Sequence, residues 1–265
     1  MLEKGLVSII MPTYNCGKFI GESIESIQKQ TYTNWELILQ DDYSNDNTFD
    51  IVNQYINEDF RIKYERNKRN SGAALTRNAA LQRAKGKWIA FLDSDDLWMP
   101  DKLEKQIAFM CDNNYDFSYT NCEDIDESCN SLGIIETGPK QIGKFKMYLY
   151  NFIGCCTVMY NQEKIGVIQI ADLKKRNDYA IWLKAIEKAD CYLLNLSLSK
   201  YRVRTSGNIT TRGGLKRIKL LKWHYDLFTQ GEQMNPLFAI GLTFINIIFY
   251  LWRRIFYFKK KIEKE

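Results

Sequence analysis

Short apolar runs recur along the first part of the chain, each closed by a polar loop and followed by a stretch with helical spacing. Leu6–Pro12 is β-branched and ends at a proline; Thr13-Tyr14-Asn15 follows, then a helical stretch to about Gln30. Trp35–Gln40 reads as a second strand and Asp41–Asn47 as a loop. A helix from Thr48 to about Asn57 carries apolar positions at Ile51, Val52, Tyr55 and Ile56. Arg61–Glu65 is a third, shorter strand, Ser71-Gly72-Ala73-Ala74 opens a helix to about Ala84, and Trp88–Leu92 is a fourth strand. Strand, loop and helix in strict alternation predict an α/β fold with a mostly parallel central sheet covered by helices. Ligands of such sheets bind beyond the carboxyl ends of the strands, so Thr13-Tyr14-Asn15, Asp41-Asp42 and Asp93–Asp96 should converge on one crevice.

From about residue 115 the pattern changes. Asp116–Thr120 leads into a polar loop with Cys122 and Cys129, Thr157–Tyr160 is a strand candidate, and a helix runs from Tyr179 to about Ala189 just after Asn177-Asp178. Pro236–Trp252 is uncharged and mostly apolar, and at about 17 residues sits at the lower limit for crossing a bilayer. Three readings compete there: an anchor lying in the membrane plane, a helix packed on the domain or in a dimer interface, and a full span. The expected division is a domain over 1–212, with halves of about 1–110 and 111–212, and a C-terminal helical extension over 213–265.

With 265 residues, 45% of them hydrophobic, the chain can bury a large core. The net charge of +5 is modest, but cations gather late, at Lys216-Arg217, Arg253-Arg254 and Lys259–Lys261, which points to an anionic partner for that end. A basic end beside an apolar helix bearing Trp and Tyr favours the surface of an anionic cytoplasmic leaflet through 236–261. No signature of nucleic-acid recognition accompanies the charge, so no nucleic-acid partner is expected. Seven cysteines at spacings that fit neither a zinc site nor a disulfide framework indicate a reducing compartment. The N-terminus lacks the pattern of a cleaved signal. The one histidine, His224, excludes His-rich metal sites and His-assisted nucleophiles, and reads as a packing residue.

The densest chemistry is Asp93-Ser94-Asp95-Asp96 at the end of the fourth strand. Carboxylates this close repel each other and are costly beside a buried strand unless a cation compensates. Mg²⁺ or Mn²⁺ bound to a phosphate would do so; a solvated loop capping the next helix is the alternative. Asp41-Asp42, with Ser44, Asn45 and Asp46, offers acceptors for a base and a ribose, or else an Asx-turn and helix cap. Gly72 stands at a helix start that could face phosphate, with Arg77 placed for a bidentate contact. Asp178 is either a general base or an N-cap.

Val7–Asn15, Leu37–Thr48, Asn70–Asn78 and Ala90–Trp98 resemble, in order, the motifs of family 2 glycosyltransferases with the GT-A fold, and Arg176–Trp182 resembles that family's Glu-Asp-Tyr-x-x-Trp motif. The resemblance covers about residues 5–210. It implies a nucleoside pocket lined by Pro12, Tyr14 and Asp42, with Asn15, Asp41, Gly72, Arg77 and Ser94 completing the nucleotide-sugar set. It further implies ribose and metal contacts from Asp93 and Asp95, Asp96 as the likeliest direct ligand of Mn²⁺ or Mg²⁺, and Asp178 as the base of an inverting displacement.

Three departures stand out. Tyr43 replaces the usual Gly, which predicts a less sharply turned loop. Asn177 replaces the usual Glu. Tyr201-Arg202-Val203-Arg204 resembles the late Tyr-Arg-x-His element, leaving Arg202 and Arg204 as weaker diphosphate candidates. The expected activity is transfer of a sugar from a nucleotide-sugar, UDP-sugars favoured, to a saccharide or polyprenyl-linked acceptor of a cell-surface polysaccharide, at the inner face of the membrane. A homodimer stays open. The rival readings are a sugar-phosphate nucleotidyltransferase and a catalytically silent scaffold of the same fold.

Overall fold

The computed structural model describes residues 4–205 and 217–259. In chain order the elements are β1 (Val7–Thr13), α1 (Ile20–Gln28), β2 (Trp35–Asp41), α2 (Thr48–Glu58), β3 (Ile62–Arg66), α3 (Ala73–Arg83), β4 (Trp88–Phe91), β5 (Leu97–Trp98) and α4 (Lys102–Asn113). There follow β6 (Phe117–Ile125), β7 (Ser131–Glu136), β8 (Gln141–Ile142), α5 (Lys144–Leu149), β9 (Met159–Asn161), α6 (Gln162–Ile165), α7 (Asn177–Ile186), β10 (Cys191–Arg202), α8 (Arg217–Asp226), α9 (Pro236–Phe256) and β11 (Phe258–Lys259).

The first half is the predicted alternation. β4, β1, β2 and β3 lie side by side and parallel, with Ile10 of β1 level with Ile38 on one side and Phe91 on the other, and Thr13 level with Asp41. The strand side chains alternate between faces. Ile9 and Met11 join one apolar layer with Ile24 of α1, Val52 of α2 and Leu103 of α4; Ile10 joins the other with Leu81 of α3 and Trp182 of α7. The second half departs from the expectation of a mostly parallel sheet. β9 runs antiparallel to both β4 and β6, and β7 runs antiparallel to β6, so the sheet as a whole is mixed. β10, which no apolar run announced, lies parallel to β6 and crosses back to pair with β5 beside the acidic loop.

Within α9, Ala239, Thr243 and Asn246 are buried against the domain, and Asn246 Nδ2 donates to the Tyr148 carbonyl at the end of α5 (2.9 Å). One face of 236–252 is thus packed on the domain. Among the described residues no helix is long and apolar enough to cross a membrane. Lys216, Lys260 and Lys261 of the basic clusters lie outside the described residues. His224 is buried on α8, its ring 6.4 Å edge-on from that of Tyr179.

Candidate active site

The ends of the parallel strands bring the predicted loops together. Asn15, in the left-handed region at φ 47°, ties the first loop to the second: its N–H donates to Ser44 Oγ (2.9 Å), and its Oδ1 accepts from the Asn45 N–H (2.9 Å). Pro12, the next-to-last residue of β1, lies level with Gln40, and Tyr14 is left half exposed at the mouth.

Asp41 and Asp42 are both buried, and their carboxylates are engaged within the protein. Asp41 accepts from Ser44 N–H (2.8 Å), Ser44 Oγ (2.7 Å) and the Tyr64 hydroxyl (2.7 Å). Asp42 accepts from Asn67 Nδ2 (2.8 Å) and from the N–H groups of Ser71 (2.7 Å) and Gly72 (2.8 Å). Asp42 thereby fixes Gly72, at φ 86°, where the chain turns into α3. These bonds give the paired aspartates a loop-holding role in addition to the ligand contacts expected of them. Asp46 accepts from Thr48 N–H (3.0 Å) in an Asx-turn leading into α2, and from Gly17 N–H (3.0 Å) of the first loop. The loop also keeps its sharp turn despite Tyr43: the residue adopts φ 69°, and its ring lies under the Arg66 guanidinium at 4.5 Å.

Asp93, Asp95 and Asp96 face three different environments. Arg77, almost fully buried on α3, donates through Nη2 to Asp93 Oδ1 (2.5 Å) and through Nη1 to Asn177 Oδ1. Burial opposes charge on Arg77, but the carboxylates of Asp93 and Asp178 around it hold it protonated. Asp95 reaches the cleft, partly exposed, and meets Arg204 Nη1 at 3.2 Å. Burial, followed by the repulsion of Asp93, raises its carboxyl above the usual range. Asp96 points inward. It is 2% exposed, its Oδ1 accepts from the Arg202 N–H (2.9 Å), and burial with the charges of Asp95 and Asp93 pushes its carboxyl well above the usual range. In this conformation the Asp96 carboxylate is turned into the protein, whereas that of Asp95 opens to the cleft. Ser94 is buried, and its carbonyl accepts from Cys16 Sγ (3.2 Å).

Arg202 is likewise turned into the protein. It is 0% exposed, and its guanidinium donates to the carbonyls of Asp95 (2.8 Å) and Glu127 (2.9 Å) and to Glu22 Oε2 (2.5 Å), beside the Phe19 ring at 4.8 Å. It braces the acidic loop from beneath. Arg204 remains at the cleft, partly exposed, 5.1 Å from the same ring.

Asp178 lies in the first turn of α7, half-buried. The chain enters that helix through Arg176 at φ 62°, with no side-chain cap, so the capping reading of Asn177-Asp178 is not what the helix uses. Trp182, one turn further on and fully buried, packs edge-on against Phe91 of β4 with ring centroids 5.0 Å apart. Residues four apart share a helix face. This contact therefore holds Asp178 near the strand end that delivers Asp93, and Arg77 bridges the two elements.

Sequence reasoning missed two members of the site. Cys155 Sγ sits 3.8 Å from both Asp93 Oδ1 and Arg77 Nη2, and its thiol is pushed well above the usual range by burial and then by Asp93. Nothing local in the sequence marks it. Asn67, which supports Asp42, follows the carboxyl end of β3, and extending the strand-end rule to that third loop would have found it.

Among the described residues no group of three or more His, Cys, Asp or Glu side chains is arranged to hold a metal ion. Asp93 and Asp95 nevertheless offer hard carboxylate oxygens at the cleft, each partly exposed and each with one arginine contact, Arg77 and Arg204. One or two carboxylates, with the remaining positions left to substrate oxygens, is a donor set that suits Mg²⁺ or Mn²⁺.

Residues 8–165 match the model of glycosyl transferase family 2. The chain is 38% identical over 260 residues, covering 97% of itself and 98% of the relative, to the UDP-Glc:alpha-D-GlcNAc-diphosphoundecaprenol beta-1,3-glucosyltransferase WfgD of Escherichia coli. Its fold matches S. aureus TarS 1-349 in complex with UDP-GlcNAc at a TM-score of 0.69, with 22% identity over 94% of this chain and 74% of that one. It also matches the mannosyltransferase PcManGT from Pyrobaculum calidifontis, in complex with GDP-Man and Mn²⁺, at 0.63 and 15% identity over 93% and 75%. The two structural matches establish the GT-A fold, and the family model and the E. coli relative establish descent: the chain belongs to glycosyl transferase family 2 and is a glycosyltransferase.

Proposed function

We propose that this glycosyltransferase moves a sugar from a UDP-sugar to a hydroxyl of a lipid-linked saccharide, by a metal-dependent inverting displacement, in the synthesis of a cell-surface polysaccharide at the inner face of the membrane. The observation that carries the reading is the placement of Asp178: uncapped, half-buried and held beside the Arg77–Asp93 pair by the Trp182–Phe91 contact. A carboxylate there can take the proton of an acceptor hydroxyl as that oxygen attacks the anomeric carbon from the face opposite the departing diphosphate. Tyr14 offers a stacking face for the base, and Asp93 and Asp95 meet the ribose and diphosphate region. Asp93 and Asp95 would also hold the Mn²⁺ or Mg²⁺ ion, which when bound neutralises charge growing on the leaving group. Arg204 faces the same region and takes the diphosphate role, whereas Arg202 is turned into the protein.

The names of the relatives support the substrate class. WfgD acts on a GlcNAc-diphosphoundecaprenol acceptor with UDP-Glc, and TarS was captured with UDP-GlcNAc. The division into donor and acceptor halves near residue 110 belongs to the same proposal. A nucleotidyltransferase would carry a Gly-rich, cationic loop after β1, where this chain has Pro12-Thr13-Tyr14-Asn15.

Asp178→Asn should lower transfer by about 10²–10⁴-fold while leaving UDP affinity, read by calorimetry, unchanged. Full transfer by that variant removes Asp178 from the base role. Donor hydrolysis with Mn²⁺ separates an active enzyme from a silent scaffold.

A further inference from the structure

The outward face of α9 is apolar along its length. Leu237, Phe244, Ile248 and Trp252 are 80%, 59%, 65% and 39% exposed, and with Gly241 they recur every three or four residues, which places them on one stripe of the helix. Ile240 and Phe238, also exposed, widen it. The opposite face, bearing Ala239, Thr243 and Asn246, is committed to the domain. A monomer in water gains nothing from so continuous an apolar face.

We infer that this stripe docks on an anionic lipid bilayer, with α9 lying in the membrane plane. Two observations select that occupant. First, no charged residue interrupts Pro236–Trp252, whereas Arg253, Arg254, Lys259, Lys260 and Lys261 follow it directly and Arg212, Lys216, Arg217, Lys219 and Lys222 precede it in the chain; of the two acidic residues between Lys222 and Pro236, Asp226 and Glu232, the latter is buried against Lys184. Anionic headgroups neutralise such flanks. A second copy docking through the same face in a two-fold contact would bring the like-charged flanks together. Second, the helix is tied to the catalytic layer at a fixed point. Asn246 donates to the Tyr148 carbonyl, and Tyr179, next to Asp178, donates its hydroxyl to the adjacent Met147 carbonyl (2.5 Å). The surface that meets lipid and the helix that carries Asp178 thus hold neighbouring peptide units of α5. This arrangement suits the lipid-linked acceptor of the proposed function and rests on that reading for its purpose, though not for its geometry.

The test is co-sedimentation of the full chain with vesicles of phosphatidylcholine alone or with added phosphatidylglycerol, for the wild type and for the double variant Phe244→Asp, Ile248→Asp. The wild type should bind the anionic vesicles in a salt-sensitive way, and the double variant should lose about tenfold or more in partitioning, with unchanged UDP affinity and melting temperature reporting an intact fold. Equal partitioning of the two proteins overturns the inference. So does a wild type that ignores vesicles and runs as a dimer which the double variant dissociates. Binding to vesicles without donor turnover would instead count against the glycosyl-transfer reading alone.

Discussion

Tyr43 occupies a backbone conformation that side chains resist. A left-handed φ costs a non-glycine residue on the order of 1–2 kcal/mol, offset here in part by the Arg66 guanidinium over the ring. A β-branched replacement would add steric conflict and forfeit that contact. Tyr43→Val should therefore destabilise the fold by about 1–2 kcal/mol in urea denaturation, with Tyr43→Gly within about 1 kcal/mol of wild type; equal losses for the two would refute the backbone explanation. At the acidic loop the contrast lies between neighbours. Asp95 opens to the cleft and Asp96 accepts a bond from the Arg202 backbone. Mn²⁺ should raise the melting temperature of the UDP complex of the wild type and of Asp96→Asn, but not of Asp95→Asn. A shift retained in Asp95→Asn would take the ion away from that carboxylate. The sequence displays three aspartates in a row of four and cannot rank them, because the group that sorts them, Arg202, lies on a strand more than a hundred positions later.

At the scale of elements, α4 carries an unusual commitment. Lys102 is fully buried, its Nζ donating to Gln106 Oε1 (2.8 Å) while Gln106 Nε2 donates to Ser118 Oγ (3.0 Å) and the Thr157 carbonyl (3.0 Å). Burial pushes this amine from 10.5 down to about 7, against a small opposing pull from Cys156 and the Trp98 ring 4.1 Å away. The folded state therefore binds a proton less readily than the unfolded chain. Stability is greatest above pH 10.5 with respect to this group, declines as pH falls toward 7 while only the unfolded chain takes up the proton, and levels off below. Lys102→Met should be more stable than wild type at pH 7, by about 1–3 kcal/mol, and should lose that advantage toward pH 10; denaturation curves at both pH values that differ by a constant amount would contradict this. The elements of the first half were legible because β1, β2 and β4 are mostly apolar runs bounded by turn residues, and the short, largely charged β3 falls where the alternation of strand and helix calls for a strand. β10 was overlooked although Leu194–Ser199 alternates apolar and polar residues at the strand period; what the alternation does not encode is its parallel pairing with β6. The mixed direction of the second half follows from pairings among β6, β7 and β9 that no local pattern encodes.

For the molecule as a whole, the order of motifs revealed the family and the convergence of strand ends revealed the site. The contacts that finish the site were illegible because they are distant in sequence: Arg77 with Asn177, Trp182 with Phe91, and Cys155 with Asp93. Arg202 gives this separation its sharpest form. Its backbone and guanidinium serve Asp96 and Asp95, while its other donors reach Glu22 near the start of the chain and the Glu127 carbonyl in the middle. The segment that ends near residue 110 contains the loops that follow β1, β2 and β4, yet in isolation it would leave Asp96 in the interior without its donor and Glu22 without its cation. A cut near residue 110 would thus separate the acidic loop from the arginine that holds it, and a fragment ending there should lose that loop's geometry even with every residue of the loop intact.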